Sequence, residues 1–370
     1  MNFTYHDRPL RVYWEITRAC DLACRHCRAA AVPDPSPHEL SRAEGQRLLG
    51  QLTRFGNPLP HLVLTGGDPL KRRDLFELIG SARGLGIGVS VAPSATPLLT
   101  VDAIRRLAEV GVEAISLSLD GSTAGRHDAI RGIDGTFDRT LEAARAACRS
   151  RLPFQVNTLV CAETVDDLPA IHERVIAMGS ARWSLFFLVS VGRGEVLAPV
   201  APDRADTVLN WAASLNDHPG PKDLVVTTTE APHIRRILVQ RRRRVSTAIE
   251  HGPRPSPPHR AAGIRDGNGV IFISHTGEIC PSGFLELSAG NVRERDVVEA
   301  YRSAPLFNQL RNPQQFGGRC GRCDFHWLCG GSRARAYASS GSPFAEDPLC
   351  TYERAIETPR ALTTADTRLR

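Results

Sequence analysis

Thr17-Arg-Ala-Cys-Asp-Leu-Ala-Cys-Arg-His-Cys-Arg-Ala29 decides how this chain reads. It sets Cys20, Cys24 and Cys27 in the spacing C-x3-C-x2-C within one short loop. Thiolates this close grip one soft metal centre more readily than they pair as disulfides. A four-iron cubane held by three cysteines keeps one iron free, as a catalytic zinc keeps an open position. A partial zinc site is the plainer alternative. The loop follows Leu10-Arg-Val-Tyr-Trp-Glu-Ile16, a β-branched and aromatic run that reads as a strand. A centre at the carboxyl end of a first strand sits where α/β barrels place their chemistry.

Outward from that loop the chain alternates strand and helix. Ser41-Arg-Ala-Glu44 opens a helix to about Phe55 with a capping box. Strands are predicted at His61–Leu64, Ile87–Ala92, Ala114–Leu119, Phe154–Val160 and Arg182–Val189. Helices are predicted at Asp74–Arg83, Thr100–Val110 (capped by Thr100), Thr136–Ser150 and Val165–Met178. Six such units predict a parallel sheet covered by helices. Beyond them a helix is expected over Asp203–Leu215, a strand over Leu224–Thr229 and a helix from Ile234 to about Arg244. His251-Gly-Pro-Arg-Pro-Ser-Pro-Pro-His259 breaks the pattern and reads as a linker or lid.

The strand ends hold further candidates. In Thr65-Gly-Gly-Asp-Pro-Leu70, Gly66 and Gly67 allow close approach of the backbone to a ligand and Pro69 stiffens the turn beside Asp68, although an ordinary turn fits as well. Ser94, Ser118, Asp120 and Asn157 fall at comparable depths along strands three to five; Ser and Asn there also serve as caps. Val191-Gly-Arg-Gly194 brings backbone amides and Arg193 to the same end. In His127-Asp-Ala-Ile-Arg-Gly132 the simplest role for Arg131 is a pair with Asp128.

Composition narrows the class. Hydrophobic residues make up 42% and charged residues 23%, as in ordinary globular proteins. No run nears the ~20 apolar residues of a membrane span, and the first residues show no signal peptide. Ten cysteines in such a chain suggest metal ligation in a reducing cytoplasm. Much of the net charge of +6 lies in Arg235, Arg236 and Arg241–Arg244. That run lacks interleaved aromatics, so a solvated helix end reads better than a nucleic-acid surface.

A second cysteine set lies past the Pro-rich stretch. Gly269-Val-Ile-Phe-Ile-Ser-His-Thr-Gly-Glu-Ile-Cys280 reads as a hairpin. Cys320-x2-Cys323-x5-Cys329 is followed by Cys350. Four thiolates in this pattern suit a closed site, either a cluster or a zinc ribbon.

Together these segments resemble the radical S-adenosylmethionine (SAM) superfamily. C-x3-C-x2-C after strand one matches its cluster motif, and Thr65-Gly-Gly-Asp-Pro-Leu70 is similar to its Gly-Gly-Glu-Pro segment, with Asp68 in place of Glu. The resemblance implies a partial (β/α)6 barrel and a [4Fe–4S] cluster on Cys20, Cys24 and Cys27. It implies SAM held by Gly66, Gly67, Asp68 and Pro69 at the methionine end, and by Ser118 and Asp120 at the ribose or sulfonium. Ser94, Asn157 and Arg193 are further SAM candidates. The activity implied is reductive cleavage of SAM to a 5′-deoxyadenosyl radical that abstracts hydrogen from a substrate. Gly317–Cys323, Cys329–Tyr337 and Pro343–Cys350 resemble the small Cys-rich extension called SPASM, or its shortened twitch form. Arg333 and Arg295 stand where the full form has cysteines, so one auxiliary [4Fe–4S] cluster is implied, on Cys320, Cys323, Cys329 and Cys350, with Cys280 as a remnant.

The implied organisation is 1–200 barrel, 201–262 connecting helices and linker, and 263–370 auxiliary domain. Cys329-Gly-Gly-Ser-Arg-Ala-Arg-Ala-Tyr337 resembles enzymes that trim tetrapyrrole side chains, and arginines at the barrel mouth and in the tail would suit propionates. The second substrate class is a ribosomally made peptide, though no N-terminal recognition extension is visible. An electron donor such as flavodoxin or ferredoxin is implied. From outside the enzyme class, a non-catalytic zinc protein is the competitor.

Overall fold

A computed structural model describes residues 5–217, 224–248 and 263–354. The Pro-rich stretch His251–His259, read as a linker or lid, and residues 355–370 lie outside the described residues.

One nine-stranded sheet organises the chain. Its first six strands are β1 (Arg11–Glu15), β2 (His61–Thr65), β3 (Val89–Val91), β4 (Ala114–Ser118), β5 (Phe154–Val160) and β6 (Arg182–Phe187). They pair in parallel and in sequence order, with Arg11 opposite His61 and Gln155 opposite Arg182. Helices α1 (Arg42–Thr53), α2 (Leu75–Gly84) and α3 (Val101–Glu109) connect the first four strands. Next come α4 (Ala124–Arg131), α5 (Thr136–Arg149) and α6 (Leu168–Met178). The predicted caps are present: Ser41 and Glu44 form a reciprocal capping box, and Thr100 accepts from Ala103 N. The strands are buried on the α-helical face because their alternate residues, such as Trp14, Leu62 and Ile115, pack under those helices. The short helix α4 was not foreseen, since Ala124–Arg131 carries mostly polar residues with few apolar positions to mark a face.

Three more strands extend the sheet beyond the six units. After α7 (Pro202–Leu215), β7 (Val225–Thr229) pairs parallel to β6, with α8 (Ile234–Ala248) behind it. At the opposite edge β8 (Val270–Ile273) lies parallel to β1, and β9 (Ile279–Cys280) folds back antiparallel as the predicted hairpin. The two ends, β7 and β9, do not pair, so the barrel stays open. The tail then adds the short helices α9 (Val297–Ser303), α10 (Pro305–Arg311), α11 (Gly318–Arg322) and α12 (Arg333–Ser340). Among the described residues no helix is long and apolar enough to cross a membrane.

Candidate functional site

The cysteine loop leaves β1 and is held mainly by backbone. Cys20 N donates to Val32 O at 2.8 Å, Arg25 N to Ile130 O at 2.9 Å and Arg193 N to Cys27 O at 3.0 Å. From the turn after β2, Gly67 N donates to Thr17 O at 2.8 Å and Asp68 N to Ala19 O at 2.7 Å. Gly67 is required by this contact itself: a Cβ there would stand 2.4 Å from Ala19 O. Gly192, with φ of +55°, presses on the loop from the turn after β6, where a Cβ would meet Arg28 O at 2.3 Å. Both glycines thus admit the cysteine loop.

Beneath β1, Glu15 ties the loop to the tail. Its carboxylate is fully buried and lies 3.0 Å from Arg18, 3.0 Å from Arg28 and 2.9 Å from His275 of the hairpin turn. Burial pushes its pKa up, but Arg28, the His275 hydrogen bond and Arg18 outweigh burial and hold it at about 2.

A cavity of about 230 Å³ opens below the loop. It is lined by all three cysteines and by Gly66, Gly67, Ser94, Ser118, Asp120, Asn157 and Arg193. Those strand-end candidates, scattered in sequence, are therefore gathered in one place. Asp68 and Pro69 do not line it. Asp68 is turned into the protein, where it accepts from Thr96 Oγ1 at 2.7 Å and Leu70 N at 3.1 Å, and Pro69 begins a single helical turn. Burial raises the pKa of Asp68.

Arg131 does not pair with Asp128. Asp128 instead accepts from Thr136 Oγ1 and the amides of Gly135 and Phe137, closing the turn between α4 and α5. Arg131 Nη2 reaches Asp120 Oδ2 at 2.5 Å, and its Nη1 lies 3.7 Å from Cys24 Sγ. Burial works against an ionised Asp120, yet Arg131 and the neighbouring imidazoles hold its pKa below the usual carboxylate range. Its other oxygen accepts from Leu159 N at 2.7 Å.

Two histidines on the cavity wall escaped the sequence reading. His26 sits inside the motif between Cys24 and Cys27, and burial with Arg131 pushes its pKa down to about 4. His127 is likewise held at about 4 by burial and Arg131. Its Nδ1 accepts from Asp120 N at 3.0 Å, which leaves the proton on Nε2, a buried atom without a hydrogen-bond partner. The spacing His127-x3-Arg131, one helical turn, was the available signal. Arg193 clamps the loop through Cys24 O and Ala31 O, both at 2.9 Å, while its Nη2 is buried and unpartnered.

The sulfurs suit thiolates bound to a cluster. Leu22 N and Ala31 N each point at a sulfur, Cys20 and Cys27 respectively, at 3.4 Å, and Ser94 Oγ lies 3.6 Å from Cys20. Burial raises the pKa of free Cys20 and Cys24, so their thiolates need a metal to carry the charge. Among the described residues no three His, Cys, Asp or Glu side chains converge enough for a single ion. Amide donors aimed at the sulfurs and buried thiols in need of a metal fit a cluster on this loop.

The four tail cysteines form a separate set. Asp347 N donates to Cys320 Sγ at 3.4 Å, Phe325 N to Cys323 Sγ at 3.3 Å and Gly331 N to Cys329 Sγ at 3.5 Å. Beside Cys350 stands His233, whose charge keeps that thiol's pKa below its ordinary value despite burial. Cys280 is buried in β9, its pKa pushed up to about 12 by burial, with Glu286, Glu278 and Arg28 as its charged neighbours. The tail arginines are not poised for propionates. Arg335 is buried against Asp347 at 3.2 Å and donates to Glu230 O at 2.7 Å, and Arg333 is fully buried.

Known proteins place the chain. A family model described as the radical SAM superfamily matches residues 14–175. An AdoMet-dependent heme synthase of Oleidesulfovibrio alaskensis is 38% identical, over 92% of this chain and 87% of its own length. A PqqA peptide cyclase of Rhodopseudomonas palustris is 28% identical, over 95% of this chain and 90% of its own. The crystal structure of Streptococcus suis SuiB bound to S-adenosylmethionine superposes with a TM-score of 0.71 at 17% identity, covering 94% of this chain and 78% of that one.

Proposed function

This chain belongs to the radical SAM superfamily and is an iron–sulfur enzyme; from that premise we propose that it oxidatively trims a side chain of a tetrapyrrole. The observation that carries this reading is the near-full-length likeness to a heme synthase. Residues 1–200 supply the barrel, 201–262 the connection and 263–370 the auxiliary-cluster domain. The enzyme works in the cytoplasm with a one-electron donor of the flavodoxin or ferredoxin type.

Cys20, Cys24 and Cys27 hold the first [4Fe–4S] cluster, and Cys320, Cys323, Cys329 and Cys350 the auxiliary one. When bound, the first cluster supplies the electron that splits SAM, and with it the radical that takes hydrogen from the substrate. Gly66, Gly67, Ser94, Ser118, Asp120 and Asn157 line the SAM cavity, while Asp68 and Pro69 act indirectly by fixing the turn that bears the glycines. The unpartnered Arg193 Nη2 offers a buried charge-assisted hydrogen bond to a carboxylate entering the cavity. His127, neutral near pH 7, offers Nε2–H as a donor. Four protein thiolates close the tail site to substrate, which fits it to accept the second electron of an oxidation.

The test is anaerobic turnover of reduced, iron-loaded enzyme with SAM and an iron porphyrin bearing propionates. Carbon dioxide and 5′-deoxyadenosine formed in step with porphyrin oxidation support the reading; 5′-deoxyadenosine without any porphyrin product overturns it. The likeness to a peptide cyclase favours a second reading, a peptide substrate. A cross-linked peptide in the same assay would establish that one.

A further inference from the structure

Arg333 and Arg265 lie buried in the tail, and their partners are unusual for buried cations. Arg333 donates from Nη1 to Pro343 O and Ala345 O, at 3.1 and 2.6 Å, and from Nη2 to Cys320 Sγ at 3.4 Å. Arg265 donates to the carbonyls of Gly263, Leu310 and Arg311 at 3.1 to 3.2 Å. Both guanidinium groups stand over the ring of Phe316, at 4.3 and 5.6 Å. Among the described residues neither forms an ion pair with a carboxylate. The nearby anions are committed elsewhere: Asp347 to Arg335 and His233, and Asp266 to the amides of Arg333 and Ala334 at the start of α12. Arg235 adds a third positive charge, and its Nη1 donates to Leu328 O beside Cys329. Burial and the repulsion of Arg333 and Arg235 push the pKa of Arg265 down to about 9.

A buried cation without a counter-charge costs several kcal/mol, and at Arg333 the contact with Cys320 Sγ shows where a counter-charge arrives once the thiols ionise. Four thiolates outweigh the positive charge of an iron–sulfur core, and the excess grows on reduction. We infer that Arg333, seconded by Arg265, is the fixed counter-charge of the auxiliary cluster and holds its reduction potential high, making it the electron acceptor of the reaction. The inference rests on the cluster assignment proposed above. A nearby cation stabilises the reduced cluster more than the oxidised one, because the reduced cluster carries one more negative charge.

Arg333 is a positioning residue, so its test reads a potential. The full chain carrying C20A, C24A and C27A is loaded with iron, so that the tail cluster alone is titrated by electron paramagnetic resonance. With Arg333→Met added, the reduced-to-oxidised ratio at the parent midpoint should fall at least tenfold, about 59 mV for one electron. Arg333→Lys, which keeps the charge, should recover most of that loss. An iron-loaded R333M variant with an unmoved midpoint overturns the inference. So do equal falls in both variants, which would assign the effect to shape, and failure of both to load iron, which would make Arg333 a folding element. A parent tail that takes up no iron would instead sink the cluster assignment itself.

Discussion

The two cysteine regions are built on opposite plans. The first presents three sulfurs to a cavity, and backbone hydrogen bonds with the turn after β2, the last turn of α4 and the turn after β6 hold its loop. The second has four sulfurs, none lining that cavity, wrapped by buried charged side chains: Arg333, Arg335, Asp347 and His233. In the first loop the charged side chains Arg18 and Arg28 turn to Glu15, which leaves the three sulfurs on the cavity wall. A side-chain-held site spends its charged side chains on closure, which suits electron transfer. The comparison teaches that the number of thiolates and the way they are supported go together.

Substitutions can break that contrast at different depths. The largest effect belongs to Cys24→Ala, which should abolish 5′-deoxyadenosine formation by chromatographic assay. Iron should fall from about eight to about four per chain, since the tail cluster remains. Cys323→Ala should do the converse: SAM cleavage persists without coupled product, and unchanged product yield would contradict the electron-transfer role. Next in size is Asp347→Asn. That carboxylate is fully buried between Arg335 and His233, so its neutralisation should cost about 4 kcal/mol, read as a lowered midpoint of thermal unfolding together with lost tail iron.

Glu15→Gln probes the bridge between the regions and should cost about 3 kcal/mol at neutral pH, because Arg18, Arg28 and His275 lose their buried partner. The sign is that of a depressed acid: its contribution is complete above about pH 4.5 and is lost as pH falls toward 2. Smallest is Ser94→Ala, which removes a hydrogen bond to Gly67 O. About 1 kcal/mol of stability should go while the first cluster still loads, as a loop held by backbone requires.

The strands and most long helices were legible because their apolar spacing is local. Ser41, Glu44 and Thr100 announced their caps in the same way. The join of β8 to β1 was not legible, since it links residues more than 250 positions apart and nothing in Val270–Ile273 specifies a partner. Charge pairing failed for the same reason. Arg131 has Asp128 three residues away, yet it reaches Asp120 across a loop because Asp128 is spent on the turn into α5. The tail arginines read as suited to propionates, but Arg333 and Arg335 are buried, which only the partners around them explain. At the site the cysteine spacing was readable, whereas Glu15, His26 and His127 gained meaning from neighbours that the fold supplies.

The central claim is that the three-thiolate loop holds a cluster with an iron open to SAM. It is tested by electron paramagnetic resonance of the reduced chain carrying C320A, C323A and C329A, with and without SAM. The account predicts a changed signal on adding SAM, followed by 5′-deoxyadenosine; an iron-loaded, reduced protein whose signal SAM leaves unaltered would contradict it.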